Sequence, residues 1–333
     1  MVRFYSEADV AGAVSMADAL AAVEAGVAAV ARGEAQSFVR RRHAWKGGRL
    51  HVLAAAWPAR GVAGVKHYLS TRAAPGGGGF TYALHDAASG ALVAVLDAER
   101  LGALRTGALS GVATARLARP AAAALALCGA GRQALTQALA VCAVRPIRRV
   151  RVWSPSAARR EAFVAGARGR LAPGVDLAAA AGVEEALDGA DVVVTITSAA
   201  APFLRAAHLR PGMHVNAAGS NDPARAELAP DAVARAARVV VDARDVAEEE
   251  SGDLIQARDA GLFRFADAVP LGALLVGQAE GRRGADEVTL FESQGVAIAD
   301  LAVAALVHAR LGGSAGAAGG PAAAPAPEPG AQT

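Results

Sequence analysis

The chain holds only two cysteines in 333 residues, Cys128 and Cys142. That excludes a disulfide framework or a cysteine metal site, and both positions suit buried free thiols. The seven histidines (43, 51, 67, 85, 208, 214 and 308) show no metal-ligand spacing. No nucleophile elbow marks a Ser–His–Asp hydrolase. Aromatic residues are only 4% of the chain, and none alternates with the basic runs at Arg40–Arg42 and Arg148–Arg151 to stack bases. A nucleic-acid surface is therefore excluded. No apolar run approaches the ~20 residues that span a bilayer, and the N-terminus does not read as a signal peptide. These absences lead us to expect a reduced, cytoplasmic protein with no metal, no nucleic acid and no membrane partner.

What is present is a large apolar fraction, 53%, with 20% charged residues and a net charge of +3. That length and composition suit two globular domains with a sizeable core. The most informative segment is Ala124-Leu-Ala-Leu-Cys128 running into Gly129-Ala-Gly-Arg-Gln-Ala134 and an Ala-rich stretch. A short apolar strand meets a G-x-G-x-x-A turn and then a helix. Gly129 allows the sharp turn, Gly131 lets backbone approach a pyrophosphate, and Ala134 lets the helix lie close to the strand. The helix N-terminus offers unpaired N–H groups to phosphate. An ordinary tight turn would also tolerate small residues, but the following strand, Arg149–Trp153, completes the βαβ context.

Because this motif begins a third of the way along, another domain precedes it. Residues 1–118, with 298–311, read as an α+β substrate-binding and dimerisation domain. It has a helix at Ala19–Ala31 behind a Ser15/Asp18 capping box and strands near 50–53, 64–69, 80–84 and 91–96. Residues 75–79 read as a loop, and Arg105–Leu117 as a helix. Residues 119–297 alternate strand and helix. Candidate strands lie at 124–128, 149–153, 175–178, 192–197, 214–218, 239–242 and 288–291, which predicts a Rossmann-type doubly wound parallel sheet. The α/β class follows. A helix at 298–311 ends the fold, and the Gly/Ala/Pro-rich tail, 312–333, is expected to be disordered.

Three cations in the leading domain need a reason. Arg40 lies in an arginine run at a loop–strand junction, Lys66 interrupts the apolar segment Gly64-Val-Lys-His-Tyr68, and Arg105 opens a helix. Burying a bare ammonium is costly, and an anionic ligand would offset it. Arginine grips a carboxylate bidentately and lysine adds a point charge. The alternatives are a solvated arginine run, an exposed edge lysine, and a salt bridge from Arg105 to Asp97 or Glu99.

Together with the glycine turn, several further segments resemble the ornithine cyclodeaminase/mu-crystallin family. They are Gly90–Asp97, Arg105-Thr-Gly-Ala-Leu-Ser110, Gly212-Met-His-Val-Asn-Ala-Ala-Gly-Ser-Asn221, Glu227-Leu228, Glu250-Ser-Gly-Asp253 and Leu290-Phe-Glu-Ser-Gln-Gly-Val-Ala-Ile-Ala-Asp300. The resemblance runs from about residue 3 to 311. It implies a homodimer, a nicotinamide cofactor and a small imino- or amino-acid substrate. It also implies a substrate carboxylate held at Arg40, Lys66 and Arg105, with Arg41 or Arg42 able to replace Arg40 after a small shift. The expected cofactor-binding residues are Thr106, Gly129, Ala130, Gly131, Gln133, Ala134, Ser154, Ser156, Arg159, Thr195, Thr197, Ser198, Ser293 and Gly295.

One departure narrows the reaction. Where the cyclodeaminases carry an acid/base aspartate, this chain has Asn221, and an amide cannot exchange protons at neutral pH. Asp222 is adjacent, but neighbouring side chains of an extended segment point to opposite sides. Cyclodeamination asks more of this position than imine reduction does. The expected activity is therefore reduction of a cyclic imino acid, Δ1-pyrroline-2-carboxylate or Δ1-piperideine-2-carboxylate, to an L-amino acid. The proton would come from Lys66 or from a water held by Asn221. Ornithine cyclodeaminase, an alanine-dehydrogenase-like enzyme and a low-turnover NADPH-dependent binding protein are the alternatives. NADH sites place an acid about twenty residues past the glycines. Here the second strand ends in Ser154-Pro-Ser156 followed by Arg159, which could hold a 2′-phosphate, so NADPH is expected over NADH.

Overall fold

The computed structural model describes residues 1–73 and 78–312. The expected loop at 75–79 lies mostly, and the expected disordered tail almost wholly, outside the described residues. The leading region contains β1 (Arg3–Tyr5), α1 (Glu7–Ala13), α2 (Met16–Ala31), β2 (Gln36–Ser37), β3 (Arg41–Trp45), β4 (Gly48–Trp57), β5 (Val62–Thr71), β6 (Gly78–Asp86), β7 (Leu92–Asp97) and α3 (Glu99–Leu117). The strands form a sheet ordered β1-β7-β6-β5-β4-β2, with β3 also on β4. The β1–β7 pair is parallel and the others are antiparallel. Helix α2 begins where the sequence signals it. The Ser15 side chain accepts from the Asp18 backbone N–H, and the Asp18 carboxylate accepts from the Ser15 backbone.

The second region contains β8 (Ala124–Cys128), α4 (Ala134–Val144), β9 (Arg149–Trp153), α5 (Ala157–Ala167), β10 (Asp176–Ala179), α6 (Val183–Leu187), β11 (Val192–Thr195), β12 (His214–Ala217), α7 (Pro230–Arg235), β13 (Arg238–Val241), α8 (Arg244–Glu250), α9 (Gly252–Asp259), β14 (Val269–Pro270), α10 (Leu271–Leu275) and β15 (Thr289–Glu292). Its sheet runs β10-β9-β8-β11-β12-β15-β13-β14, and every pairing is parallel. Strands β8, β11 and β12 are buried throughout, as the near-continuous Val/Ala/Leu runs require of a sheet covered on both faces. The chain runs outward from β8 to β10 and then crosses back to β11. The switch point therefore lies between β8 and β11, where ligands of doubly wound sheets bind.

Two features tie the regions together. The last helix, α11 (Ala297–Leu311), returns from β15 to the leading region, and its buried residues join the same core cluster as those of α2 and α3. Helix α3 also lies tight against α4. A side chain at Gly107 would strike the Thr136 carbonyl, and one at Gly111 would come within 3.2 Å of the Ala140 carbonyl. The helix that bears Arg105 is thus seated on the helix that follows the glycine turn.

Candidate active site

Lys66 sits in the middle of β5, paired across to Leu53 and Tyr82. Strand alternation turns its side chain inward, toward α11. There Asp300, the acid in an otherwise apolar first turn, receives the Lys66 ammonium at 2.7 Å and the Arg105 Nε at 3.1 Å. All three are buried; Lys66 is 2% exposed and Asp300 0%. Burial, followed by the neighbouring Arg105 charge, depresses the Lys66 pKa to about 7, and the Asp300 carboxylate opposes that shift. Arg105 gives Asp300 only its Nε, while its Nη1 is a buried donor with no acceptor among the described residues. Two cations on one carboxylate leave a surplus of positive charge.

The arginine run forms a second group of this kind. Arg40 Nη1 meets Glu250 Oε2 at 2.8 Å, and its Nη2 reaches the Gln294 carbonyl at 2.9 Å. Arg42 Nη1 takes the other Glu250 oxygen at 2.7 Å, and its Nη2 bonds the Asn221 carbonyl at 2.7 Å. Arg41, between them, faces the opposite side of β3, where it lines a separate hollow with Phe38 and Asp245. Arg105 bonds neither of the acids weighed from sequence. Glu99 instead pairs with Arg132 of the glycine turn at 2.7 Å.

Both cation groups open into one cleft of about 890 Å³, which Gly131, Arg132 and Gln133 also line, together with Thr197, Ser198, Gly219 and Asn221. The glycine turn fits a dinucleotide there. Gly129 has φ +128°, and a side chain on it would strike the Ile196 backbone. A Cβ on Gly131 would meet nothing within 4 Å, so its face stands open to the cleft. Helix α4 begins with no side-chain cap, which leaves its first N–H groups for a phosphate. The Gly129 N–H bonds the Trp153 carbonyl at 2.7 Å, which sets Ser154 and Ser156 beside this turn.

Other expected residues turn elsewhere. Thr106 bonds the Gly102 carbonyl within its own helix. Ser154 bonds the Ser156 carbonyl, Ser156 caps α5 at the Arg159 N–H, and the Arg159 side chain is exposed. Thr195 is buried and bonded to Glu227, which Thr197 also contacts. Ser293 Oγ and the Gly295 N–H both bond Asp242. That contact holds a loop on which a side chain at Gly295 would collide with the Arg105 guanidinium. Ala130 and Ala134 shape the turn, Ala134 being wholly buried. Asn221 and Asp222 both line the cleft, although extended-chain alternation sends neighbours apart. The reason is local: a Ser220–Asp222 turn, closed by the Asp222 N–H on Ser220 Oγ, breaks the alternation.

Asp300 and Glu250 were not singled out from sequence as partners of the cations. An aspartate inside Val296-Ala-Ile-Ala-Asp300-Leu-Ala-Val was the available signal, because a buried lone acid demands a cation. A row of stacked rings was also missed. His51 lies on Tyr68 at 4.4 Å and Tyr68 on Phe80 at 4.6 Å, along one wall of the cleft.

A doubly wound sheet with an open glycine turn at its switch point, facing a cation-lined cleft, defines an oxidoreductase that uses a nicotinamide dinucleotide. The chain is 38% identical over 226 residues to a Δ1-pyrroline-2-carboxylate reductase of Bacillus cereus, covering 68% of this chain and 69% of that one. It is 34% identical to the ketimine reductase mu-crystallin of Mus musculus, over 68% of this chain and 67% of that one. A solved Thermococcus litoralis Δ1-pyrroline-2-carboxylate reductase, in complex with NADH and L-proline, superposes with a TM-score of 0.88 at 27% identity, covering 93% of this chain and 97% of that one. Residues 2–315 match the ornithine cyclodeaminase/mu-crystallin family, and the chain belongs to it.

Proposed function

We propose that this protein reduces a cyclic α-imino acid, Δ1-pyrroline-2-carboxylate or Δ1-piperideine-2-carboxylate, to the L-amino acid with NADPH in preference to NADH. The single observation that carries the reading is the buried Lys66–Asp300–Arg105 group opening into the same cleft as Gly131. A substrate carboxylate offsets the surplus charge of that group and accepts from the Arg105 guanidinium. Arg40 spends both terminal nitrogens on Glu250 and backbone carbonyls, so it supports the floor of the site and adds positive potential.

The nicotinamide supplies hydride to the imine carbon when the dinucleotide is bound. Gly131, Gln133 and the start of α4 would hold its phosphates, and Thr197, Ser198 and Asn221, which line the same cleft, would lie on its nicotinamide side. Ser154, Ser156 and Arg159 would receive the 2′-phosphate if the two serine hydroxyls exchanged their present local bonds for it, in a strand end with no acid to favour a bare ribose. Lys66, with its pKa near 7, is the clamp residue able to hold and release a proton at neutral pH. The carboxamide of Asn221 can orient a water but cannot trade protons, and the neighbouring Asp222 carboxylate, which also lines the cleft, faces Arg49 at 3.9 Å; a preformed imine is therefore favoured over ornithine as substrate. The rings of His51, Tyr68 and Phe80 offer a flat apolar wall to a small ring. The working unit is a homodimer.

The test follows NADPH absorbance with each of the two imino acids, NAD(P)H formation from NAD(P)+ with proline and alanine, and ammonia release with ornithine, whose cyclodeamination leaves the nicotinamide unchanged overall. NADPH consumption with a cyclic imino acid supports the reading. Turnover of ornithine with release of ammonia identifies a cyclodeaminase instead, and no turnover with any of them favours a cofactor-bound binding protein.

A further inference from the structure

We propose that Glu227 is a positioning residue: its buried carboxylate fixes two strand ends, those of β11 and β12, whose following residues line the same cleft as the cation clamp. The proposal rests on the reductase reading for its kinetic consequence and on geometry alone for its structural one.

Glu227 is 0% exposed, and its hydrogen-bond partners among the described residues lie outside both the clamp and the glycine turn. Its Oε1 accepts from the Thr197 N–H at 2.7 Å and the Thr197 hydroxyl at 2.6 Å. Its Oε2 accepts from the Thr195 hydroxyl at 2.8 Å and the Gly219 N–H at 2.9 Å. One oxygen thus holds the segment after β11, and the other bridges the end of β11 to the segment after β12. Thr197 and Gly219 both line the cleft, and Ser198 and Asn221 lie within two residues of them. The fit is close: a side chain on Gly219 would run into both Glu227 oxygens. Glu227 is itself held, because Asp253 Oδ1 accepts from the Glu227 and Leu228 N–H groups at 2.7 and 2.6 Å. A burial this complete is costly for a carboxylate: desolvation, followed by the Asp253 charge, pushes its pKa up to about 7, and the four donors offset part of the cost. Placing such a group where the strand ends meet the cleft has a use. Hydride transfer is sensitive to displacements of about 1 Å, and a fixed backbone limits them.

Glutamine is the informative replacement. It keeps the shape but presents an NH₂ group to one backbone N–H and one threonine hydroxyl; the hydroxyl can turn to accept, but the N–H contact is lost and two donors are set face to face. For Glu227→Gln we expect hydrogen–deuterium exchange of the cofactor-free protein to accelerate about tenfold or more at 196–198 and 219–221, with the rest of the sheet unchanged. We also expect kcat for imine reduction to fall roughly 10²-fold, with KM for the imino acid altered less than about threefold. Unchanged exchange in those segments overturns the proposal. So does acceleration spread evenly over the chain, or local acceleration with an unaltered kcat. If Glu227→Gln does not fold, Thr197→Val removes one of the four bonds and should give the same local pattern at smaller size; no change in that variant also overturns it. A wild-type protein that reduces no cyclic imino acid refutes the function proposed above, while the exchange data still decide the role of Glu227.

Discussion

On the proposed function, the two walls of the cleft recognise their ligands by different physics. The dinucleotide wall is built from backbone within six consecutive residues, Gly129–Ala134, and works through what it lacks: no side chain on Gly131 and no cap on α4. The substrate wall is built from side chains far apart in sequence. Lys66 and Arg105 come together because α11 returns with Asp300, and Arg40 and Arg42 because α8 ends in Glu250. One wall selects by shape and dipole, the other by buried charge. Four buried or half-buried cations share two carboxylates, and on the proposed function the substrate anion completes the neutralisation.

The comparison breaks most visibly at Arg105. Arg105→Ala should reduce kcat/KM for the imino acid by roughly 10²–10³-fold, the ~2–5 kcal/mol typical of losing one member of a buried charge pair. Dinucleotide affinity, measured by fluorescence titration, should stay as in wild type. Equal loss of both affinities would mean that the walls are not separable.

The two glycines of the turn sharpen the other side. Gly131→Val should fold with wild-type thermal stability, because that Cβ meets open space, yet lose about 10–100-fold in dinucleotide affinity. Gly129→Ala should lower stability by about 1–3 kcal/mol, since its φ of +128° and the Ile196 backbone both oppose a side chain. Thermal melts with and without dinucleotide separate the two effects.

A pH titration of imino-acid binding reports on the charged wall through Lys66. Lys66 in the free protein has its pKa pushed down to about 7 by burial and Arg105. A bound carboxylate favours the ammonium and raises that pKa, so binding takes up a proton above pH 7. Affinity for the imino acid should be flat below that point. Above it, affinity should fall by up to about tenfold per pH unit until the pKa of the complex is passed. Calorimetry in buffers of different ionisation heat would detect the proton. The slope should vanish in Lys66→Met.

The smallest expected effect lies at the outer end of the dinucleotide. Arg159 is exposed, so its contribution to phosphate binding is screened. Arg159→Ala should lower the preference for NADPH over NADH by roughly 3–10-fold, read as the ratio of the two kcat/KM values.

The difference between the walls also explains what could be read from sequence. Ala124–Ala134 disclosed the parallel sheet and the turn because a strand, two glycines and a helix follow one another locally. The Ser15/Asp18 box marked the start of α2 for the same reason. Lys66 announced itself as a charge inside an apolar strand, but its partner could not be found nearby. Asp300 lies 234 residues on, and only the return of α11 to the leading sheet brings it into contact. Arg105 was weighed against Asp97 and Glu99, its close acids in the chain, whereas the fold pairs it with the same distant Asp300. Glu227 stood in a recognised segment with no role attached, since its four donors come from two other strand ends. Asp222 was set aside by strand alternation, which a tight turn at Ser220 overrides.

The proposed reduction depends on a reducible C=N group being held by its attached carboxylate. The most direct measurement compares NADPH oxidation by the wild-type protein with Δ1-pyrroline-2-carboxylate and with Δ1-pyrroline, the same ring without the acid. We predict turnover of the first and a rate lower by at least about 10²-fold for the second. Equal rates for the two rings, or none with the carboxylate present, would contradict it.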